Sequence, residues 1–295
     1  MNAATGARRI ILVADDYAMT EGVSAGIERL AGEDRLSATS AIVTSPHWPA
    51  HAPRIAAFRD RIAVGLHVNL TLGRPLGSMA RLAPEGTLPD IAAITKAAIR
   101  ADLDRNEIAG EIARQIDAFV RHLGFAPDFI DGHQHVHSFP VIRDALLAAL
   151  GLKLPDQRVL VRDPAMSLAA IAALGRAAPK AAVIAWLARG FGATASQLGF
   201  PVNDAFAGIS DFKPETAASD LARARTTRGD VVIVMCHPGI PDEELARLDP
   251  LTTRRQAELD VLSREHPFSG ALWQPARAPN GPAIDWRREF GIDAR

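Results

Sequence analysis

A chain of 295 residues, 48% hydrophobic and 23% charged, has an ordinary globular composition and enough apolar surface for a large core. Its 33 basic and 34 acidic residues leave a formal charge of -1, with no basic excess for a nucleic-acid or anionic-membrane partner. The single cysteine, Cys236, excludes an internal disulfide framework and a cysteine-based zinc finger.

Residues 1–9 contain basic side chains but no apolar run, so no signal peptide is expected there. No stretch reaches the roughly 18 apolar residues of a membrane span, and a cytoplasmic location is expected. Residues 10–14 form a two-sided apolar run that suits a strand buried on both faces, and it leads into Asp15-Asp16. Thr20 then caps a helix whose buried face is Val23, Ile27 and Leu30. Residues 37–44 read as a second strand, 47–60 as a loop or helix, and 62–66 as a third strand ending on His67.

Residues 71–90, rich in glycine and proline, make a long excursion of the kind that often carries function. Ile108, Ile112, Ile116 and Phe119 lie at helical spacing, and Gly124 ends that helix. A fourth strand enters Asp131-Gly132-His133-Gln134-His135-Val136-His137, and residues 158–162 form a fifth, ending on Arg162. Residues 166–199 are Ala-rich and helical, interrupted at Pro179, Gly190 and Gly192. A weak strand at 205–209 and a clear one at 231–235 follow, the latter ending on Cys236-His237-Pro238-Gly239. A last helix covers about 252–264, and the tail from 266 is expected to be irregular.

Seven strand candidates alternating with helices argue for a parallel sheet or a (β/α) barrel, with no internal repeat and no linker. Asp15-Asp16, His67, the 131–137 cluster, Arg162 and His237 all directly follow apolar runs. Carboxyl ends of strands line the site in such folds, so five strands deliver polar groups to one edge.

Each signal has a plainer alternative. Asp15-Asp16 could cap a helix, or place one carboxylate on a metal and leave the other as a base. If the chain stays extended past Gly132, Asp131, His133, His135 and His137 share one face. Alternate Cα atoms on a strand lie about 6.6 Å apart, so at most two of these histidines converge on one ion and another is free for substrate or supporting contacts. His67 or His237 alone could be a hydrogen-bonded strand-end histidine; as a functional group, His237 would be a general acid. Arg162, facing two aspartates, could hold one of them ionised and oriented. No GxSxG, P-loop or GxGxxG stretch supports serine-hydrolase, phosphate-loop or dinucleotide chemistry.

Together, Ala14-Asp15-Asp16-Tyr17, the 65–70 stretch around His67, the 131–137 cluster and Cys236-His237-Pro238-Gly239 resemble the YdjC-like carbohydrate deacetylases of the ChbG/HpnK type, from about residue 8 to 265. The resemblance implies one TIM-like (β/α)-barrel domain over 1–295 and one divalent metal ion held by Asp16, His67 and His133. It implies Asp15 as base and His237 as acid, with Asp131, His135, His137 and Arg162 left for substrate or supporting contacts. The reaction implied is removal of the N-acetyl group from an amino sugar or chitooligosaccharide, and a homodimer is the family's expectation. The His/Asp donor set suits Zn²⁺, and ligand type alone leaves Mg²⁺, Mn²⁺ and Co²⁺ open. Ala18 departs from the glycine usual in the family at that turn. A non-catalytic sugar-binding protein, a lipid-linked amino-sugar deacetylase and a metal-dependent phosphoester hydrolase are the competing readings. The 71–90 excursion is expected to decide whether a lipid-linked substrate fits.

Overall fold

A computed structural model describes residues 9–155, 159–278 and 281–291. The strands are β1 (Ile10–Tyr17), β2 (Ala38–Ala41), β3 (Ala63–Val68), β4 (Phe129–Gly132), β5 (Leu160–Val161), β6 (Ala205–Ala207) and β7 (Val232–Cys236). Between and after them come α1 (Glu21–Gly32), α2 (Trp48–Ala56), α3 (Ile91–Arg100), α4 (Arg105–Leu123), α5 (Ile142–Lys153), α6 (Leu168–Ala172), α7 (Ala178–Leu187), α8 (Phe191–Gln197), α9 (Ala217–Arg225), α10 (Glu243–Leu248), α11 (Thr252–Glu265) and α12 (Trp286–Phe290). All sheet pairings are parallel, in the order β5-β4-β3-β2-β1-β7-β6. The sheet curls into the TIM-like α/β fold expected from sequence. Its two edges approach each other where Val161 bridges Val202, with the Val161 amide donating to the Pro201 carbonyl at 2.9 Å.

Strand alternation builds two cores. Ile11, Val13, Ala63, Phe129, Phe206 and Ile233 fill the inside of the curl, whereas Leu12, Val64, Leu66 and Val234 face the helices. Small residues inside β2 and β3 make room for Phe129; a Cβ on Gly65 would come within 2.5 Å of its ring. The strand ends carry the corrections. β2 and β6 are shorter than expected, and Arg158 lies outside the described residues.

The histidine stretch does not stay extended. β4 ends at Gly132, and residues 133–138 fold into a 3-10 segment with Gln134 and His135 at φ 54° and 63°. The turn brings His137 back over Gly132, where a Cβ would lie 2.9 Å from the His137 ring. The period-2 face that was expected of residues 131–137 therefore does not form.

The tail is not wholly irregular. It pairs with the amino end of β1 (Ile10 amide to Ala271 carbonyl, 2.7 Å) and inserts Trp273 and Trp286 into the inner core. The Trp286 indole donates to the Asp128 carbonyl at 2.6 Å, and Arg277 forks onto the Asp128 carboxylate at 2.6 and 2.7 Å. Since Ile10 and Asp128 mark the amino ends of β1 and β4, the tail covers the mouth opposite the polar strand ends.

The turn after β1 places Ala18 in the left-handed region. Ala18 sits at φ 68°, which costs a side chain about 1–2 kcal/mol. Its fully buried methyl regains about 0.8 kcal/mol, and glycine would lose about 0.5–1 kcal/mol of backbone entropy on folding. The two sides nearly cancel, so denaturant titration of Ala18→Gly is expected to show a stability change below about 1 kcal/mol.

Candidate active site

A cavity of about 480 Å³ opens at the carboxyl ends of the strands, and Asp15, Asp16, His67, His133, His135 and His237 are in its lining. The sheet register accounts for much of this convergence: β3 pairs with β4 so that His67 lies opposite Asp131. In β1 the pairing to β2 slips between Ala14 and Tyr17, and Asp16 takes φ 71°. Such a bulge re-aims successive side chains. It sends Asp15 toward Arg162 and Asp16 toward His67 and His133.

Asp16 Oδ1 lies 2.8 Å from His133 Nδ1 and 3.2 Å from His67 Nε2. Donor atoms of these three residues all fall within 4.8 Å of one another. Two imidazoles and a carboxylate at that spacing fit a single divalent ion and leave positions for water and substrate. His67 Nδ1–H donates to Asp131 Oδ1 at 2.6 Å, which leaves Nε2 free to ligate. Ser40 Oγ donates to Asp131 Oδ2 at 3.0 Å and sits 3.0 Å from the same imidazole nitrogen. Burial disfavours a charged His67, but the carboxylates of Asp131, Asp16 and Asp15 together outweigh it and hold the pKa at about 10 without metal. Asp16 remains ionised: burial opposes its charge, yet Arg255 and His133 bring the pKa well below the usual carboxylate value.

Arg162 is fully buried and forks onto Asp15 at 2.8 and 2.9 Å, while reaching Asp131 at 3.0 Å. The two carboxylates thus share one guanidinium, and their titrations are linked. Burial, reinforced by the Asp131 charge and opposed by Arg162, raises the pKa of Asp15. Asp131, with both Arg162 and His67 against it, is lowered despite burial. One member of the pair is thereby fixed as an anion, and the other has greater proton affinity.

His237 lies in the cavity wall, its ring edge-on to Phe212 at 5.5 Å and its backbone N–H donating to Glu258 at 2.6 Å. Burial pushes its pKa well below the ordinary histidine value. His135 also lines the cavity, against the Phe206 ring, and is likewise kept neutral by burial. His137 does not line it. Fully buried, it donates from Nε2 to the Arg162 carbonyl at 2.7 Å and so supports the strand end that carries Arg162.

His137 also carries a pH dependence. Burial, then the neighbouring Arg162 charge, lowers its pKa to about 3. Below its unfolded value near 6.5 the unfolded chain binds the extra proton, so stability is lost as pH falls from 6.5 toward 3. At pH 5 this one group is expected to cost about 2 kcal/mol relative to pH 8. His67 acts in the opposite sense in metal-free protein: its folded pKa of about 10 exceeds the unfolded value near 6.5, so the stability it contributes is fully present below 6.5 and is lost as pH rises toward 10. Denaturant titrations at pH 8 and pH 5, for the wild type and His137→Gln, check the contribution. His67 acts alike in both proteins, so the change on going from pH 8 to pH 5 should be less unfavourable in the variant by about 2 kcal/mol.

Three contributors have no strand-end signal in the sequence: Ser40, Arg255 and Lys180. Arg255 comes from α11 and binds Asp16 and Asp249; Lys180, on α7, lines the cavity with its ammonium 4.2 Å from the Phe212 ring centre. The 71–90 excursion, in contrast, does not line the cavity. It is tied down elsewhere, by Asn69, which accepts from Thr71 and Leu72, and by Glu111 and Glu107, which accept from Leu76 and Arg81. The corresponding wall is α3, through Ile91 and Thr95.

A chitooligosaccharide deacetylase of Citrobacter koseri is 30% identical over 262 residues, covering 87% of this chain and 91% of that protein. Its counterpart in Salmonella typhimurium is 32% identical over 161 residues, 53% of this chain and 63% of that one. Among solved structures, an Enterococcus faecalis protein provisionally named for cellobiose-phosphate cleavage superposes with a TM-score of 0.67. At 20% identity, over 92% of this chain and 97% of that one, this likeness concerns the fold alone. The family model described as YdjC-like protein matches residues 9–267, and the chain belongs to that family.

Proposed function

We propose that the protein is a metal-dependent hydrolase that removes N-acetyl groups from an amino sugar or chitooligosaccharide. The observation that carries this reading is the convergence of Asp16, His67 and His133 beside Asp15, a carboxylate with raised proton affinity held by Arg162. The named relatives act on chitooligosaccharides, in keeping with it. Two imidazoles in the donor set favour Zn²⁺ over Mg²⁺. A divalent ion bound there supplies Lewis acidity, lowering the pKa of water and polarising the acetyl carbonyl.

The protein's own groups do the rest. Asp15 accepts the proton of the attacking water, while Arg162 keeps its carboxylate oriented. Asp131 fixes the His67 ring so that Nε2 faces the ligand set. His237, kept neutral by burial, would act as the acid only after taking up a proton, the one released by water to Asp15 being available. Its transfer to the departing nitrogen then turns water and amide into acetate and a free amine. Phosphoester hydrolysis is less well served, because Arg162 and Arg255, the arginines beside the ligand set, are each already paired with two carboxylates.

A second reading concerns what the sugar is attached to. Phe139, Val183, Ile184, Leu187, Leu248 and Leu251 give the cavity an apolar wall, and Val183 and Leu248 are exposed. Such a wall suits an apolar aglycone better than further sugar units. Acetate release should be screened with N-acetylglucosamine, its oligomers and a long-chain alkyl glycoside, with Zn²⁺ present. The reading predicts acetate and primary amine in equal amounts, with the alkyl glycoside having the highest kcat/KM. Saturable binding without acetate from any of them would establish the binding-protein alternative.

A further inference from the structure

We propose that Arg255 is the positioning residue for the metal-binding carboxylate, dividing the two oxygens of Asp16 so that only one faces the ion. The inference rests on the metal reading above and adds a residue to it. Asp16 Oδ2 accepts from Arg255 Nη2 at 2.5 Å, while Oδ1 is the oxygen near His67 and His133. With Oδ2 occupied, Asp16 presents Oδ1 alone, at a fixed orientation.

Arg255 is itself held. It is 1% exposed, its Nε donates to Asp249 Oδ2 at 3.0 Å, and Nη2 contacts the same oxygen. Its carbonyl accepts from the Gly239 amide at 3.2 Å, two residues after His237. Asp249, Pro250 and Leu251 line the cavity, so one guanidinium joins the rim, the ligand carboxylate and the turn that follows β7. Nη2 alone meets both carboxylates, and a lysine ammonium placed there would lack the second, Nε donor that anchors the side chain to Asp249.

The adjacent Arg254 provides an internal control. It is equally buried on the same helix, but its partners are Asp220, Glu258 and the Lys213 carbonyl, none of which belongs to the ligand set. Removing either arginine loosens α11; only removing Arg255 releases Asp16.

The test is a Zn²⁺ titration of chelator-stripped wild type, Arg255→Met, Asp249→Asn and Arg254→Met, with circular dichroism to verify folding. The proposal predicts that Arg255→Met weakens Zn²⁺ binding about 10–100-fold. Asp249→Asn should weaken it by less, and Arg254→Met should leave it unchanged within error. Binding by Arg255→Met that equals or exceeds that of wild type would overturn the proposal, as would an equal loss in Arg254→Met. If Arg255→Met does not fold, Asp249→Asn decides, and unchanged affinity there overturns the assignment. A wild type that binds no Zn²⁺ removes the metal reading as well, and is thereby distinguished from a failure of Arg255 alone.

Discussion

Asp15→Asn is expected to retain the metal and lose about 10²–10⁴-fold in kcat, the usual contribution of a general base. Asparagine keeps one oxygen for Arg162 but sets an NH2 donor against its other N–H, while Asp131 still binds the guanidinium at 3.0 Å. Circular dichroism therefore accompanies the assay to show that the variant is folded. The measurements are kcat for acetate release and metal content of the purified variant. A second signature follows from the raised pKa of Asp15: wild-type kcat should fall on the acid side as Asp15 becomes protonated, above the ordinary carboxylate range. An Asp15→Asn enzyme with near wild-type turnover would remove Asp15 from the role of base.

His133→Ala and His67→Ala should both lose metal binding, with turnover falling at least about 10²–10³-fold. They should differ in stability. His133 stands at the cavity wall and bonds within the ligand set alone, whereas His67 is 1% exposed and joined to Asp131 and Ser40. Removing His67 leaves a buried carboxylate without one of its partners, a loss of about 1–3 kcal/mol. Metal titration and thermal unfolding of the two variants separate ligation from support. Retention of metal by His133→Ala would show that the ion is held by other donors, of which Asp15, His67 and Asp131 form the alternative group among the described residues.

The apolar runs of the sequence were sufficient to find all seven strands, because each is buried on both faces and followed by a turn. The grouping of Asp15, Asp16, His67, Asp131 and Arg162 at one edge was legible for the same reason: in a parallel sheet, residues just past the strands meet. Side-chain direction was harder to read. Extended alternation was the natural rule for the 131–137 histidines, yet positive φ at Gln134 and His135 reversed the chain and buried His137 behind the site. Arg255 was hidden for a different reason. In the run Arg254-Arg255-Gln256, two adjacent arginines resemble a solvated helix surface, and only the packing of α11 shows both to be buried. The 71–90 excursion misled through its composition; its glycines and prolines serve a loop held against α4 by Glu107 and Glu111.

The most direct test of the metal-dependent account is acetate release by one preparation in three states: as purified, stripped with a chelator, and reconstituted with increasing Zn²⁺. The account predicts that stripping abolishes turnover and that activity returns in proportion to bound metal, reaching its maximum at about one ion per chain. Undiminished acetate release from the thoroughly stripped protein would contradict it.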